Sequence, residues 1–152
     1  MCGYGKLQVD IEIKSPASKF HEMLCKRPYH VSNASRDKVQ GCELHKGEWG
    51  QAGSIICWNY FHDGKAKVAK QLVEAVDADE NLVVFRMIEG DLLKDHKNFK
   101  FTIQATPKGR GSVVHWSLEY EKLHKDIPES YSMLEFVVEM SKDIDAHLME
   151  GK

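Results

Sequence analysis

Residues 127–149 constrain this chain more than any other stretch, because they carry its one long helical periodicity and no Gly or Pro interrupts them after Pro128 until Gly151. Asp126 or Ser130 can cap the start, and Pro128 suits a first turn. At 100° per residue Met133, Val137, Met140, Ile144 and Leu148 form one stripe, widened in the first half by Tyr131, Leu134, Phe136 and Val138. Only a narrow polar back face remains, at Glu135, Glu139 and Lys142. A helix this apolar has to be wrapped by other elements, and the chain before it reads as strands nearly throughout. The expected architecture is a sheet gripping one helix.

The strands announce themselves by alternation. Over residues 6–14, Leu7, Val9, Ile11 and Ile13 face one way while Gln8, Asp10, Glu12 and Lys14 face the other. Ser15 as N-cap and Pro16 at the first helical position then open a short helix with the apolar face Phe20, Met23 and Leu24, which Pro28 ends; residues 29–36 add a further turn or two. Six more strands follow, at residues 39–45, 54–61, 65–77, 82–88, 99–106 and 112–123. The first two are joined by the glycine-bearing run 47–53, and Asp63-Gly64 marks a tight hairpin. Strand, two short helices, six strands and a long helix make an α+β chain with an antiparallel sheet.

Strand parity assigns an inner face. It comprises Ile56, Trp58 and Tyr60, then Val68 and Leu72 with Lys70 and Glu74 on the same phase, then Val83, Phe85 and Met87. The last two strands add Phe99, Phe101 and Ile103, and Val114, Trp116, Leu118 and Tyr120. This face is unusually aromatic, and it meets Met133, Phe136, Val137 and Met140 of the helix. Such side chains either fill a core or line a cavity, and both arrangements satisfy the pattern. Lys70 and Glu74 are the inward charges, either a mutual ion pair or a rim, or groups that orient a ligand's polar end.

With 152 residues, 42% hydrophobic and 29% charged, residues 1–152 have the size of one domain with one substantial core. The net charge of −2 arises from interspersed charges, so no nucleic-acid partner is expected. Residues 1–6 lead straight into a strand without a signal-peptide core. No stretch has the roughly 18–20 uninterrupted apolar residues of a spanning helix, so a cytoplasmic protein without membrane insertion is expected. Cys2, Cys25, Cys42 and Cys57 lack close pairing and read as reduced thiols. The eight histidines show no metal-ligand spacing, Cys42 and His45 point to opposite strand faces, and no nucleophile elbow occurs. No cofactor and no metal are expected.

Five motifs carry a resemblance: Gly47-Glu48-Trp49-Gly50-Gln51-Ala52-Gly53-Ser54, then Asp63-Gly64-Lys65, then Val84-Phe85-Arg86-Met87-Ile88-Glu89-Gly90-Asp91-Leu92, then Tyr120-Glu121-Lys122 and Lys142-Asp143-Ile144. In this order they resemble the major latex proteins, a plant branch of the pathogenesis-related class 10 superfamily typified by the birch pollen allergen. The resemblance implies a helix-grip fold: a seven-stranded curved antiparallel sheet, two short helices after the first strand, and a C-terminal helix held over an internal apolar cavity. It implies an intracellular carrier of hydrophobic or amphipathic small molecules, sterol, fatty acyl, phenolic or hormone-like, linked to plant defence. The glycine loop joins two strands and lacks the Lys of a phosphate-binding loop, so it reads as a structural turn covered by Trp49. The cavity lysine that alkaloid-forming relatives place on the last strand falls here among the apolar Val114, Trp116 and Leu118.

The candidate ligand set is therefore Ile56, Trp58, Tyr60, Val68, Lys70, Leu72, Phe85, Met87, Phe101, Ile103, Trp116, Leu118 and Tyr120 from the strands, with Met133, Phe136, Val137 and Met140 from the helix. The first function expected is a non-enzymatic carrier of a small hydrophobic ligand, as a monomer or weak dimer, with no catalytic residues. The second is a cavity enzyme of specialised metabolism, an isomerase or cyclase using Lys70 or Glu74 as acid or base, or a histidine should one face inward. The third is a partner-binding module in stress signalling, for which no motif speaks.

Overall fold

The computed structural model describes residues 3–151. Alternation builds strands close to where the sequence places them: β1 (Tyr4–Ile13), β2 (Val39–Lys46), β3 (Ile55–His62), β4 (Lys65–Asp77), β5 (Leu82–Gly90), β6 (His96–Lys108) and β7 (Gly111–Lys122). The helices are α1 (Ala17–Lys26), α2 (Val31–Ala34) and α3 (Tyr131–Glu150), with 3-10 turns at Pro28–His30 and Asp91–Lys94. The strands form one curved sheet in the order β1-β7-β6-β5-β4-β3-β2. Every neighbouring pair is antiparallel, so β2 to β7 run as a meander and β1 closes on β7.

The inner face packs Ile11 and Ile13 of β1, Phe99, Phe101 and Ile103 of β6, and Val114, Trp116 and Leu118 of β7 into one buried cluster with Phe20, Met23 and Leu24 of α1. Onto it α3 lays the stripe Met133, Val137, Met140 and Ile144, all buried. Polar bonds fix the helix in place. The Asp145 carboxylate accepts the backbone N–H groups of Lys14 at 3.0 Å and Ser15 at 2.8 Å, and the Ser15 hydroxyl as well. Asp143 accepts the Ser35 hydroxyl at 2.6 Å and lies 3.5 Å from the Lys38 ammonium. Trp116 of β7 donates its indole N–H to Ser141 at 2.8 Å.

Two helix starts differ from the sequence expectation. Ser15 does not cap α1; Pro16 takes that position and the Ser15 hydroxyl serves Asp145 instead. The long helix begins at Tyr131, four residues later than expected, because Glu129 and Ser130 are tied to the sheet. The Tyr120 hydroxyl donates to Glu129 at 2.5 Å and accepts the Ser130 N–H at 3.2 Å, while Lys122 reaches Glu129 at 2.6 Å.

A third correction concerns β4. Val68, Lys70, Leu72 and Glu74 were expected inside, whereas the buried residues are Ala69, Gln71 and Val73. The cause is the hairpin after β3. Asp63 (φ 53°) and Gly64 (φ 75°) form a two-residue loop that sets His62 opposite Lys65. Cross-strand partners share a face, so inward Ile56 and Trp58 carry Gln71 and Ala69 inward with them. Val68 is 42% exposed. Lys70 pairs with Glu89 at 3.4 Å and Glu74 forms a two-bond ion pair with Arg86, all on the outer face.

Candidate ligand cavity

Between the sheet, α1 and α3 the packing leaves a cavity of about 60 Å³. At roughly 10–15 Å³ per water, that is room for about four to six water molecules, the bulk of a small ring system. Its walls come from every layer. Leu24 of α1 and Val39 of β2 close one side; Trp58, Tyr60, Ala69, Gln71 and Phe85 come from the central strands. Phe101 and Trp116 complete the floor, and Met133, Phe136, Val137 and Met140 of α3 form the roof, with Leu92 from the 3-10 turn after β5. Leu92 and Phe136 are the two partly exposed members and mark the mouth. Phe136 packs edge-on against both Tyr60 and His62, at ring separations of 5.8 and 5.6 Å.

The expected residues divide by what their strands do with them. Trp58, Tyr60, Phe85, Phe101, Trp116, Met133, Phe136, Val137 and Met140 all line the cavity. Ile56, Met87, Ile103 and Leu118 are buried on the same face but are packed into the core around it. Tyr120 is fully buried and stacks on Phe99 at 5.1 Å; its hydroxyl is committed to Glu129, and burial together with that bond pushes its pKa up to about 12. Val68, Lys70 and Leu72 lie outside, as above.

Five lining residues escaped the sequence reading. Ala69 and Gln71 were readable from the two-residue hairpin, which fixes their parity. Leu24 reads as apolar helix face and Val39 as strand, but nothing in their spacing says that they wall the same space as Met133 to Met140 of α3. Leu92 sits in a 3-10 turn without periodicity.

The lining is uncharged, and its polar groups are few. The Trp58 indole N–H donates to the Gln71 side-chain oxygen at 2.8 Å, and the Gln71 amide nitrogen meets the Met87 sulfur at 3.4 Å. The Tyr60 hydroxyl is buried without a hydrogen-bond partner among the described residues, and burial, then the nearby Asp91 carboxylate, raises its pKa. The phenol therefore stays protonated. His62, beside Phe136, has its pKa lowered chiefly by burial, and its Nδ1 lies 3.2 Å from the Lys67 ammonium.

The pathogenesis-related protein Bet v 1 family matches residues 2–151. The chain belongs to this family. Within it the likeness is to the major latex proteins. MLP-like protein 31 of Arabidopsis thaliana is 58% identical over 147 residues, covering 95% of this chain and 86% of that protein. The crystal structure of ginseng major latex-like protein 151 from Panax ginseng superposes with a TM-score of 0.91 at 40% identity, over 95% of this chain and 97% of that one. A solution structure of an Arabidopsis thaliana major latex protein family member is 56% identical with a TM-score of 0.70, over 97% and 95% of the two chains. A norcoclaurine synthase mutant from Thalictrum, at 18% identity and a TM-score of 0.73, shares the fold alone.

The Bet v 1 fold binds small hydrophobic ligands, and this member's cavity has the apolar walls that such binding needs. Its glycine loop is a turn. Gly47, Gly50 and Gly53 all have positive φ, and the Ser54 hydroxyl, bonded to the Glu48 N–H and carbonyl, ties the loop's ends together. Trp49 packs on Tyr29 at 4.8 Å, joining the loop to the short helices. Among the described residues no helix is long and apolar enough to cross a membrane.

Proposed function

We propose that residues 1–152 act as one ligand-binding unit, a cytoplasmic plant carrier of hydrophobic or amphipathic small molecules that it holds between the sheet and α3. The observation that carries this reading is the cavity itself. It is walled by aromatic, aliphatic and methionine side chains, opens at Leu92 and Phe136, and has few polar groups to satisfy. The free thiols of Cys25, Cys42 and Cys57 support a reducing compartment, and the family's pathogenesis-related designation supports a link to defence. Monomer or weak dimer is the assembly proposed.

Titration of the purified protein with an apolar fluorescent probe tests the reading. Saturable binding in the low-micromolar range is expected, about −8 kcal/mol, which burial of a small apolar body can supply. A folded protein, verified by circular dichroism, that shows no saturable binding would overturn it. The cavity-enzyme alternative loses Lys70 and Glu74, which lie on the outer face in ion pairs; the buried histidine beside the mouth, His62, is not among the lining residues.

A further inference from the structure

The cavity's few polar groups indicate what chemistry its occupant must bring. An indole N–H can only donate, so Trp58 fixes the Gln71 oxygen toward itself and turns the Gln71 amide N–H groups the other way. There one of them meets the Met87 sulfur, a weak acceptor. Trp116 is likewise satisfied, by Ser141 at 2.8 Å. The Tyr60 hydroxyl is different. It is 3% exposed, lines the cavity near its mouth, and makes no hydrogen bond among the described residues. A buried hydroxyl left unpaired costs free energy that a ligand oxygen would recover.

The surroundings decide which oxygen. None of the described lining residues is charged, so a carboxylate held against these walls would lose its hydration with no lining cation to replace it; Lys67, across from Tyr60 on β4, is not among the lining and holds its ammonium 3.2 Å from His62. The Asp91 carboxylate beyond Tyr60 already has its cation, Lys94 at 3.0 Å. A pure hydrocarbon would fill the space and leave the hydroxyl unpaired. The structure assigns to this cavity a neutral apolar body bearing an acceptor oxygen, a ketone, ester or alcohol, with the Tyr60 hydroxyl as the donor that orients it. This deepens the carrier reading and rests on it. Gln71 is committed elsewhere, its oxygen to Trp58 and its amide nitrogen to Met87.

Three ligands with one aromatic body test the assignment: naphthalene, 2-acetonaphthone and 2-naphthoate, each competed against the fluorescent probe at pH 7. The ketone should bind about tenfold tighter than naphthalene, and the carboxylate weaker than both. In Tyr60→Phe the ratio of ketone to naphthalene affinity should fall from about ten to about one. That variant removes only an unpaired hydroxyl, so it should fold at least as stably as the parent chain. Equal binding of all three ligands would overturn the assignment and leave the carrier reading intact. A ketone advantage that survives Tyr60→Phe would also overturn it, moving the anchor to Gln71. Failure of all three ligands and of the probe would overturn both.

Discussion

His21 shows how far a single side chain can tie this fold to pH. It lies 6% exposed on α1, with no hydrogen bond of good geometry at either ring nitrogen among the described residues. Burial, and then the Lys26 charge, lowers its pKa from 6.5, against smaller opposing effects of the Asn81 backbone and Asp77. His62 is shifted the same way, again chiefly by burial. The unfolded chain thus binds protons below about pH 6.5 that the folded one resists, so stability is full above that pH and falls as pH drops below it. Glu12, Glu74, Asp91 and Glu129 are held low by their partners and act in a separate, more acidic window. Denaturant midpoints should therefore fall between pH 7 and pH 5.5, and His21→Leu should shrink that fall. A fall of the same size in the variant would remove His21 from the account. Residue-scale chemistry of this kind was only partly legible. The aromatic inner face followed from alternation, yet Val68 and Leu72 outweighed the geometry of Asp63-Gly64, and the polar cavity residue Gln71 was missed in favour of Lys70. Apolarity argued one parity and the two-residue turn the other, and the turn prevailed because hairpin pairing leaves no freedom to slip.

At the scale of elements, α3 is held at its C-terminal half by carboxylates, and its N-terminal half roofs the cavity. Asp145 satisfies two backbone N–H groups at the end of β1, and Asp143 joins Ser35 and Lys38 at α2 and β2. The Lys142-Asp143-Ile144 motif was recognisable as a family signature; its purpose, a clamp on the helix, depends on contacts more than a hundred residues away in sequence and left no local trace. Asp145→Ala should cost about 1–3 kcal/mol, since it strands the Lys14 and Ser15 N–H groups, and Asp145→Asn should cost less by keeping an acceptor oxygen. Chemical denaturation of the two variants checks the order. Equal losses would mean that packing of Met140 and Ile144, and not the clamp, holds this half of the helix. The late start of α3 has a similar origin. Pro128 and Asp126 are good local start signals, but the bonds of Tyr120 and Lys122 to Glu129, and of Ser130 to Tyr120, tie this segment to β7 and hold the helix start back to Tyr131.

For the whole molecule, the order of elements and the gripping of one apolar helix were legible because the hydrophobic pattern holds a period of two through the six strands from residue 39 onward and gives way to 3.6 over a long stretch at the C-terminus. The size of the space between sheet and helix was not, since a filled core and a hollow one draw on the same side chains. About 60 Å³ suits a one- or two-ring body. A four-ring or long-chain ligand needs several times that space, so α3 would have to lift or Phe136 turn outward to admit it. Met140→Ala distinguishes a hollow that already exists from one that mutation creates. Met140 lines the cavity at 5% exposure, so its truncation enlarges an existing space and removes fewer contacts than in a closed core. The full penalty for a buried Met→Ala is about 2–5 kcal/mol, and a loss under about 3 kcal/mol is expected here, with tighter binding of probes bulkier than naphthalene. Phe136→Ala is the counterpart. It opens the mouth, exposes Tyr60 and His62 to water, and should speed ligand exchange more than it alters stability. A Met140→Ala loss above about 3 kcal/mol with unchanged probe affinity would mean that the core is effectively closed around Met140, and that ligands of any size would have to enter by displacing the helix.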